Sequence, residues 1–332
     1  MAGKTHVLEN RLPRSTLSIR SAWAQSPGPK DAASAARLSL KGFGMGVADI
    51  IPGVSGGTIA FITGIYDQLV DAIRSVDMNG GRKLIGLDIA GFIEHVHCRF
   101  LFFLLMGIGV AIVSMARVMN HLMTAYPVPV WSLFFGLIAA SSIVVGRKVE
   151  RFTAANAAFC LVGLAAGFSL VGMIPVHTPE TLWFLFLCGA IAICAMILPG
   201  ISGAFILLML GKYEFVTAAL KNPFVWSNLE VILVFLGGAC IGIVVFSRLL
   251  HYLLSRWHGA TVSVLTGLML GAMRKVWPWK EVLESVMVRG KEHVLRAQNV
   301  LPDLNGDLWA ALALMAFGAA VVFFLDRVSR HS

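Results

Sequence analysis

Residues 41–67 read KGFGMGVADIIPGVSGGTIAFITGIYD. The stretch is apolar at both ends and broken in the middle by Pro52, Gly53, Gly56 and Gly57, with an acid, Asp49, just before the break. As helix, the ten residues 42–51 and the ten residues 56–65 would each rise about 15 Å, half of a hydrocarbon core about 30 Å thick. Neither arm can cross, and both reach mid-membrane. Proline withholds a backbone N–H, and glycine permits turns that other residues resist. Backbone of that kind is tolerated at such depth only where it is buried in protein or lines a wet cavity. The stretch reads as a re-entrant hairpin or a broken helix.

It also recurs. A gapless shift of 147 lays Pro52 on Pro199, Gly53 on Gly200, Ser55 on Ser202 and Gly56 on Gly203. The same shift pairs Gly64 with Gly211, Tyr66 with Tyr213 and Asp67 with Glu214. One PGxSG would be weak evidence. Two at a single offset, each followed by Gly-x-Tyr-acid, define an internal repeat.

Composition agrees with a lipid environment. With 57% hydrophobic and 14% charged residues and a mean hydropathy of +0.79, the chain reads as an integral membrane protein. The net charge of +9 is no sign of nucleic acid, because the cations cluster between apolar segments and in residues 1–39. That distribution suits anionic headgroups. Residues 1–39 lack the apolar core of a signal peptide and read as a mobile, basic cytoplasmic arm. The five cysteines form no CxxC, which argues against a disulfide framework or a zinc knuckle.

The expected organisation is all-α and polytopic, with two inverted repeats. Repeat 1, residues 40–174, holds a hairpin at 41–66 and an amphipathic interfacial helix at 82–99, where Ile85, Ile89, Phe92 and Val96 share a face. Spans follow at 100–119, 128–146 and 153–174. Repeat 2, residues 182–326, holds a hairpin at 182–210 and spans at 229–250, 259–274 and 308–325. Gly107, Gly109, Gly136, Gly163 and Gly167 are placed to let helices approach closely in lipid. If each hairpin returns to its own face, three crossings separate the copies and the second is upside down. This is the plan of many secondary transporters, with the site at the midplane between repeats. With the N-terminus inside, 18 of the 27 Lys and Arg fall on the cytoplasmic side, which favours that orientation.

Several residues could carry chemistry. A half-helix that starts after a PGxSG break presents unpartnered N–H groups and the positive end of its dipole. Such a site suits phosphate or carboxylate, and the hydroxyls of Ser55, Thr58 and Ser202 are further donors. Gly53, Gly56, Gly57, Gly200 and Gly203 would let the ligand approach, or would merely shape a tight helix crossing. An acid at mid-helix costs about 2.5–3.5 kcal/mol on the insertion scale. Asp49 therefore reads as a coupling residue for H+ or Na+, or as a cap on a helix end; its counterpart is Met196. Asp67 and Glu214 are candidates for gating or for interfacial anchoring. One of Arg274 and Lys275, Arg274 first, is a candidate headgroup contact, with Arg147 and Lys148 at the comparable place in the first half, set against ordinary snorkelling at a helix end. Glu94, His95, His97 and Cys98 read as a solvated face rather than a metal site. No Walker loop, GxGxxG, HExxH or GxSxG occurs, so neither a cofactor nor a catalytic residue is expected.

On KGFGMGVADIIPGVSGGTIAFITGIYD, CGAIAICAMILPGISGAFILLMLGKYE and GLMLGAMRKVWPW, the chain resembles the bacterial and archaeal polyprenyl-phosphate translocases, from about residue 38 to 325. The resemblance implies return of undecaprenyl phosphate, the lipid carrier of cell-wall precursors, from the outer to the inner leaflet of the cytoplasmic membrane. It also implies that Pro52 to Thr58 and Pro199 to Gly203 are the functional loops. The expected partners are that lipid phosphate or a related one, and membrane lipids. Two rivals stand beside this reading: an ion-coupled transporter of a small soluble anion, and a membrane enzyme acting on lipid phosphates.

Overall fold

The computed structural model describes residues 18–329, apart from 52–53, 150–152, 174–177, 223, 289–290, 303 and 305. The first half holds α1 (Ile19–Gln25), α2 (Ala32–Ile50), α3 (Gly56–Ile62), α4 (Tyr66–Arg74), α5 (Met78–Ile85), α6 (Ile89–His95), α7 (Cys98–Ala125), α8 (Pro127–Gly146) and α9 (Ala154–Val171). The second holds α10 (Leu182–Ile197), α11 (Gly203–Met209), α12 (Tyr213–Lys221), α13 (Trp226–Arg256), α14 (His258–Val276), the strands β1 (Lys280–Val288) and β2 (Lys291–Asn299), and α15 (Gly306–Ser329). The chain is an all-α polytopic membrane protein with one antiparallel β-hairpin, which the sequence pattern did not announce.

Both broken elements are re-entrant. In the first, Lys41 Nζ donates to the Thr63 carbonyl at 2.8 Å, Gly44 faces Ile59, and Asp49 meets Gly56, so α3 runs back along α2. In the second, Gly203 faces Ala192, and Leu207 clusters with Cys188 and Ala192 of α10. Each returning arm has only seven residues, about 10 Å of helix. The Gly-x-Tyr-acid signature explains where they stop. Gly64 and Gly211 take φ of +71° and +63°, a region that favours glycine. The next residues close a Schellman turn, Ile65 N–H to the Ala60 carbonyl at 3.0 Å and Lys212 N–H to the Leu207 carbonyl at 2.9 Å. Tyr66 and Tyr213 then open α4 and α12, and α12 leaves α11 at 115°.

Glycine crossings reveal the symmetry. Gly42 packs on the Leu104 carbonyl and Gly107 on that of Ser39, joining α2 to α7. Gly189 packs on Phe235 and Gly238 on Phe186, joining α10 to α13 in the same way. The last helices are exchanged between repeats. Gly136 of α8 meets Met315 of α15, and Gly318 meets Leu133, while Gly267 of α14 meets Cys160 of α9, and Gly163 meets Val264. Every contact in one set has its counterpart in the other, so a pseudo-two-fold relates the halves. Three membrane helices, α7, α8 and α9, lie between the hairpins, which turns the second repeat over. Gly109 is different: a side chain there would meet open space.

Among the described residues, five helices (α7, α8, α9, α13 and α15) are long and apolar enough to cross a membrane. The central helix α14 is more polar, and it can be so because it is packed between α8 and α9, with Thr261, Ser263 and Thr266 buried. Ser263 and Thr266 donate to carbonyls on their own helix, those of Gly259 and Val262, and the Thr261 hydroxyl lies between the Trp257 carbonyl and that of Leu253 in α13.

Two expectations need correction. The stretch 82–99 is not one interfacial helix. Gly86 ends α5, Leu87 takes a positive φ of 56°, and Asp88 caps α6 through the Gly91 N–H. Nor is the described part of the N-terminal arm free. The buried Arg99 guanidinium donates to the Ala24 and Gly28 carbonyls, both at 3.2 Å, and Phe100 N–H bonds Pro27, so α1 is strapped to the start of α7. Residues 1–17, with Lys4, Arg11 and Arg14, lie outside the described residues.

Candidate functional site

The two breaks meet. Ser55 Oγ lies 3.1 Å from the Leu198 carbonyl and 3.3 Å from that of Met196, and donates across to the second hairpin. In the other direction, the Gly200 N–H donates to Thr58 Oγ1 at 3.0 Å. Gly57 abuts the Ile197 carbonyl, and Gly200, at φ +86°, abuts the Met269 backbone of α14. These glycines are committed to bringing two hairpins and a central helix into contact. Pro52 and Gly53 lie outside the described residues.

The two half-helix starts are chemically unequal. At α3 the donors are taken: Asp49 Oδ1 accepts from Gly56 N–H at 2.7 Å, and Ser55 Oγ accepts from Gly57 N–H at 3.1 Å. Asp49 is thus placed as a cap, its negative charge at the positive end of α3. At α11 no side chain caps the first turn. The Ser202 hydroxyl makes no hydrogen bond among the described residues, and Met196 stands where Asp49 stands in the first copy. Met196 is 41% exposed on the outward face of α10, next to Gly203, so the start of α11 adjoins the lipid-facing surface.

The remaining candidates lie away from the junction. Asp67 and Glu214 are exposed in the first turns of α4 and α12, where their charge suits the helix dipole. Arg274 is exposed and turned towards α9, its guanidinium 4.4 Å from the Phe168 ring centre. Its neighbour Lys275, weighed beside it as a headgroup contact, points the other way, with Nζ 4.8 Å from the Phe205 ring of α11. On the opposite face Lys148 Nζ lies 4.9 Å from the Phe61 ring of α3. Each re-entrant arm therefore carries a phenylalanine under a lysine. Both lysines were in reach of sequence reasoning, through the RK pairs at the ends of α8 and α14, and the phenylalanine beneath each was not. His95 is tied to Asp77 at 2.8 Å, and no metal-ligating cluster is present among the described residues.

Residues 45–294 match the family described as undecaprenyl phosphate translocase-like. The chain is 40% identical over 296 residues to a polyprenyl-phosphate transporter of Vibrio cholerae serotype O1, covering 87% of this chain and 95% of that protein. It is 29% identical over 255 residues to a polyprenyl-phosphate transporter of Staphylococcus aureus, covering 72% and 85%. No solved structure matches it. The chain belongs to the undecaprenyl phosphate translocase-like family.

Proposed function

We propose that the protein is a transporter, not an enzyme, and that it moves a polyprenyl phosphate, undecaprenyl phosphate in particular, from the outer to the inner leaflet of a bacterial cytoplasmic membrane. The names of its relatives support the substrate class. The observation that carries the mechanism is the junction of the two PGxSG loops with one half-helix start capped and the other open. Uncapped N–H groups and the Ser202 hydroxyl offer donors to a phosphate at mid-membrane. The exposed Met196 marks the side from which a lipid head enters while its isoprenoid tail stays in the bilayer. Two hairpins related by a pseudo-two-fold and joined by few hydrogen bonds can rock against each other, opening the junction to either face. With the N-terminus inside, α12 and the β-hairpin lie on the outer face.

The test is sided transport in vesicles of phosphatidylcholine loaded with undecaprenyl phosphate in one leaflet only. Arrival of intact lipid in the other leaflet supports the proposal, and Ser202→Ala is expected to slow it in a protein that remains folded. Uptake of soluble phosphate without lipid movement favours a soluble-anion transporter. Release of inorganic phosphate favours an enzyme. Either result rejects the proposal.

A further inference from the structure

Just past the end of α14, the Lys280 side chain folds back onto the backbone of Lys275. Lys280 Nζ donates to the Lys275 carbonyl at 2.6 Å and lies 4.2 Å from the Trp131 ring centre. Lys275 Nζ lies over Phe205. Both side chains are partly buried, and among the described residues no carboxylate comes within ion-pair distance of either. Burial, with the charge of Lys275 adding to it, pushes the Lys280 ammonium down to about 7 from the ordinary lysine value. Taking an ion out of water costs more than one cation–arene contact returns. Two such ions, near enough for the charge of Lys275 to bear on Lys280, are an arrangement that an anion would relieve. Arg274 brings no relief, because it adds another positive charge and faces α9.

The surroundings indicate which anion. Trp277 packs edge-on against Phe135 and Trp279, and with Trp131 these rings form a wall of the kind found at headgroup level. Phe205 belongs to the first turn of α11, so the Lys275 side chain reaches from the end of α14 to the uncapped half-helix. A phosphate monoester carries about −1.5 to −2 charge near neutral pH, which matches two ammonium groups.

We propose that Lys275 and Lys280, walled by Trp131 and Phe205, form a docking station for a phosphate monoester on the β-hairpin face, from which the headgroup passes to the paired loops. This rests on the reading of the chain as a polyprenyl-phosphate transporter. On the opposite face Lys148 stands over Phe61, and among the described residues no second ammonium shares that ring.

The full chain in phosphatidylcholine nanodiscs is titrated calorimetrically with farnesyl phosphate, farnesol and inorganic phosphate, and the same proteins are assayed for lipid transport. Farnesyl phosphate should bind and farnesol should not. Lys275→Gln with Lys280→Gln should weaken binding at least about tenfold, the equivalent of about 1.4 kcal/mol. The charge-retaining Lys275→Arg with Lys280→Arg, and Lys148→Gln on the other face, should bind nearly as the parent does. Parental affinity in the glutamine pair, with transport intact, overturns the station and spares the transport reading. A parent that neither binds nor moves prenyl phosphate overturns the transport reading and the station together. Inorganic phosphate binding as tightly as farnesyl phosphate overturns the assignment to a lipid headgroup. If the glutamine pair does not fold, Lys280→Gln alone decides the question, with weaker binding expected and unchanged affinity overturning the station.

Discussion

The Gly200 N–H donates to Thr58 Oγ1 at 3.0 Å, so the turn of the second hairpin hangs on the first turn of α3. Both residues are buried, away from bulk water that could replace the bond. Thr58→Val keeps the shape and removes the acceptor. An N–H left unsatisfied in a buried site costs about 1–3 kcal/mol. We expect a lower thermal unfolding midpoint and slower lipid transport, both largely restored in Thr58→Ser. A Thr58→Val protein as stable and as active as the parent would show that the contact between the loops is incidental.

Asp49 makes a separable prediction. Its carboxylate caps α3 through the Gly56 N–H, and an asparagine side-chain oxygen can accept the same bond. Losing a cap altogether costs about 0.5–2 kcal/mol. Asp49→Ala should therefore unfold at lower temperature, while Asp49→Asn should stay close to the parent in stability and still transport lipid. If Asp49→Asn folds normally and transport stops, the carboxylate has a role beyond capping, and ion coupling becomes the leading account.

What the sequence made legible was whatever repeats or whatever lipid forbids. Pro52 and Pro199 at one offset identify two breaks, and Gly64 and Gly211 mark their ends, because only a residue at ease with positive φ closes those turns. The inequality between the copies was half visible, as Asp49 against Met196. That Asp49 fills the α3 start is a matter of side-chain geometry, which the sequence does not carry. The spending of Ser55 and Thr58 on hairpin-to-hairpin bonds was likewise hidden, since a hydroxyl that greets a ligand and one that bonds a carbonyl look alike in a motif. Arg274 and Lys275 are adjacent in the chain, and helical geometry sends one to α9 and the other to α11. The β-hairpin has two nine-residue strands that alternate only weakly, and it lies in a polar segment that hydropathy reads as a loop.

Lys280 supplies a pH dependence with a definite sign. Burial favours its neutral form, so the folded chain gives up this proton near pH 7, whereas the unfolded chain holds it to about 10.5. Below pH 7 both states are charged and the folded state bears the desolvation cost. Between pH 7 and 10.5 only the unfolded state is charged, and the contribution to stability rises with pH. Anion binding runs the other way, because a neutral Lys280 attracts nothing. The charged group that bears on Lys280 among the described residues is Lys275, and the Trp131 ring covers it from α8. Affinity for farnesyl phosphate should therefore fall as pH rises above 7. Lys280→Arg stays charged throughout and should flatten that fall. A parent whose affinity is level from pH 6 to 9 would place Lys280 outside the binding equilibrium.

The exchanged helix pairs make the last prediction, and two glycines provide the contrast. At Gly267 a methyl group would run into the Cys160 carbonyl of α9, which is backbone and cannot swing aside. Gly267→Ala must push α14 away from α9, and overpacking of this kind costs about 1–3 kcal/mol. Because α14 also supports the Gly200 turn through Met269, the displacement should reach the loop junction and reduce transport. At Gly109 of α7 the same methyl would meet nothing, so Gly109→Ala should be neutral, or stabilising by about 0.5–1 kcal/mol from helix propensity alone. Thermal unfolding of the two variants side by side decides the matter. Equal effects would mean that the close crossing of α9 and α14 contributes nothing to holding the repeats together, and the pseudo-two-fold exchange would lose its energetic basis.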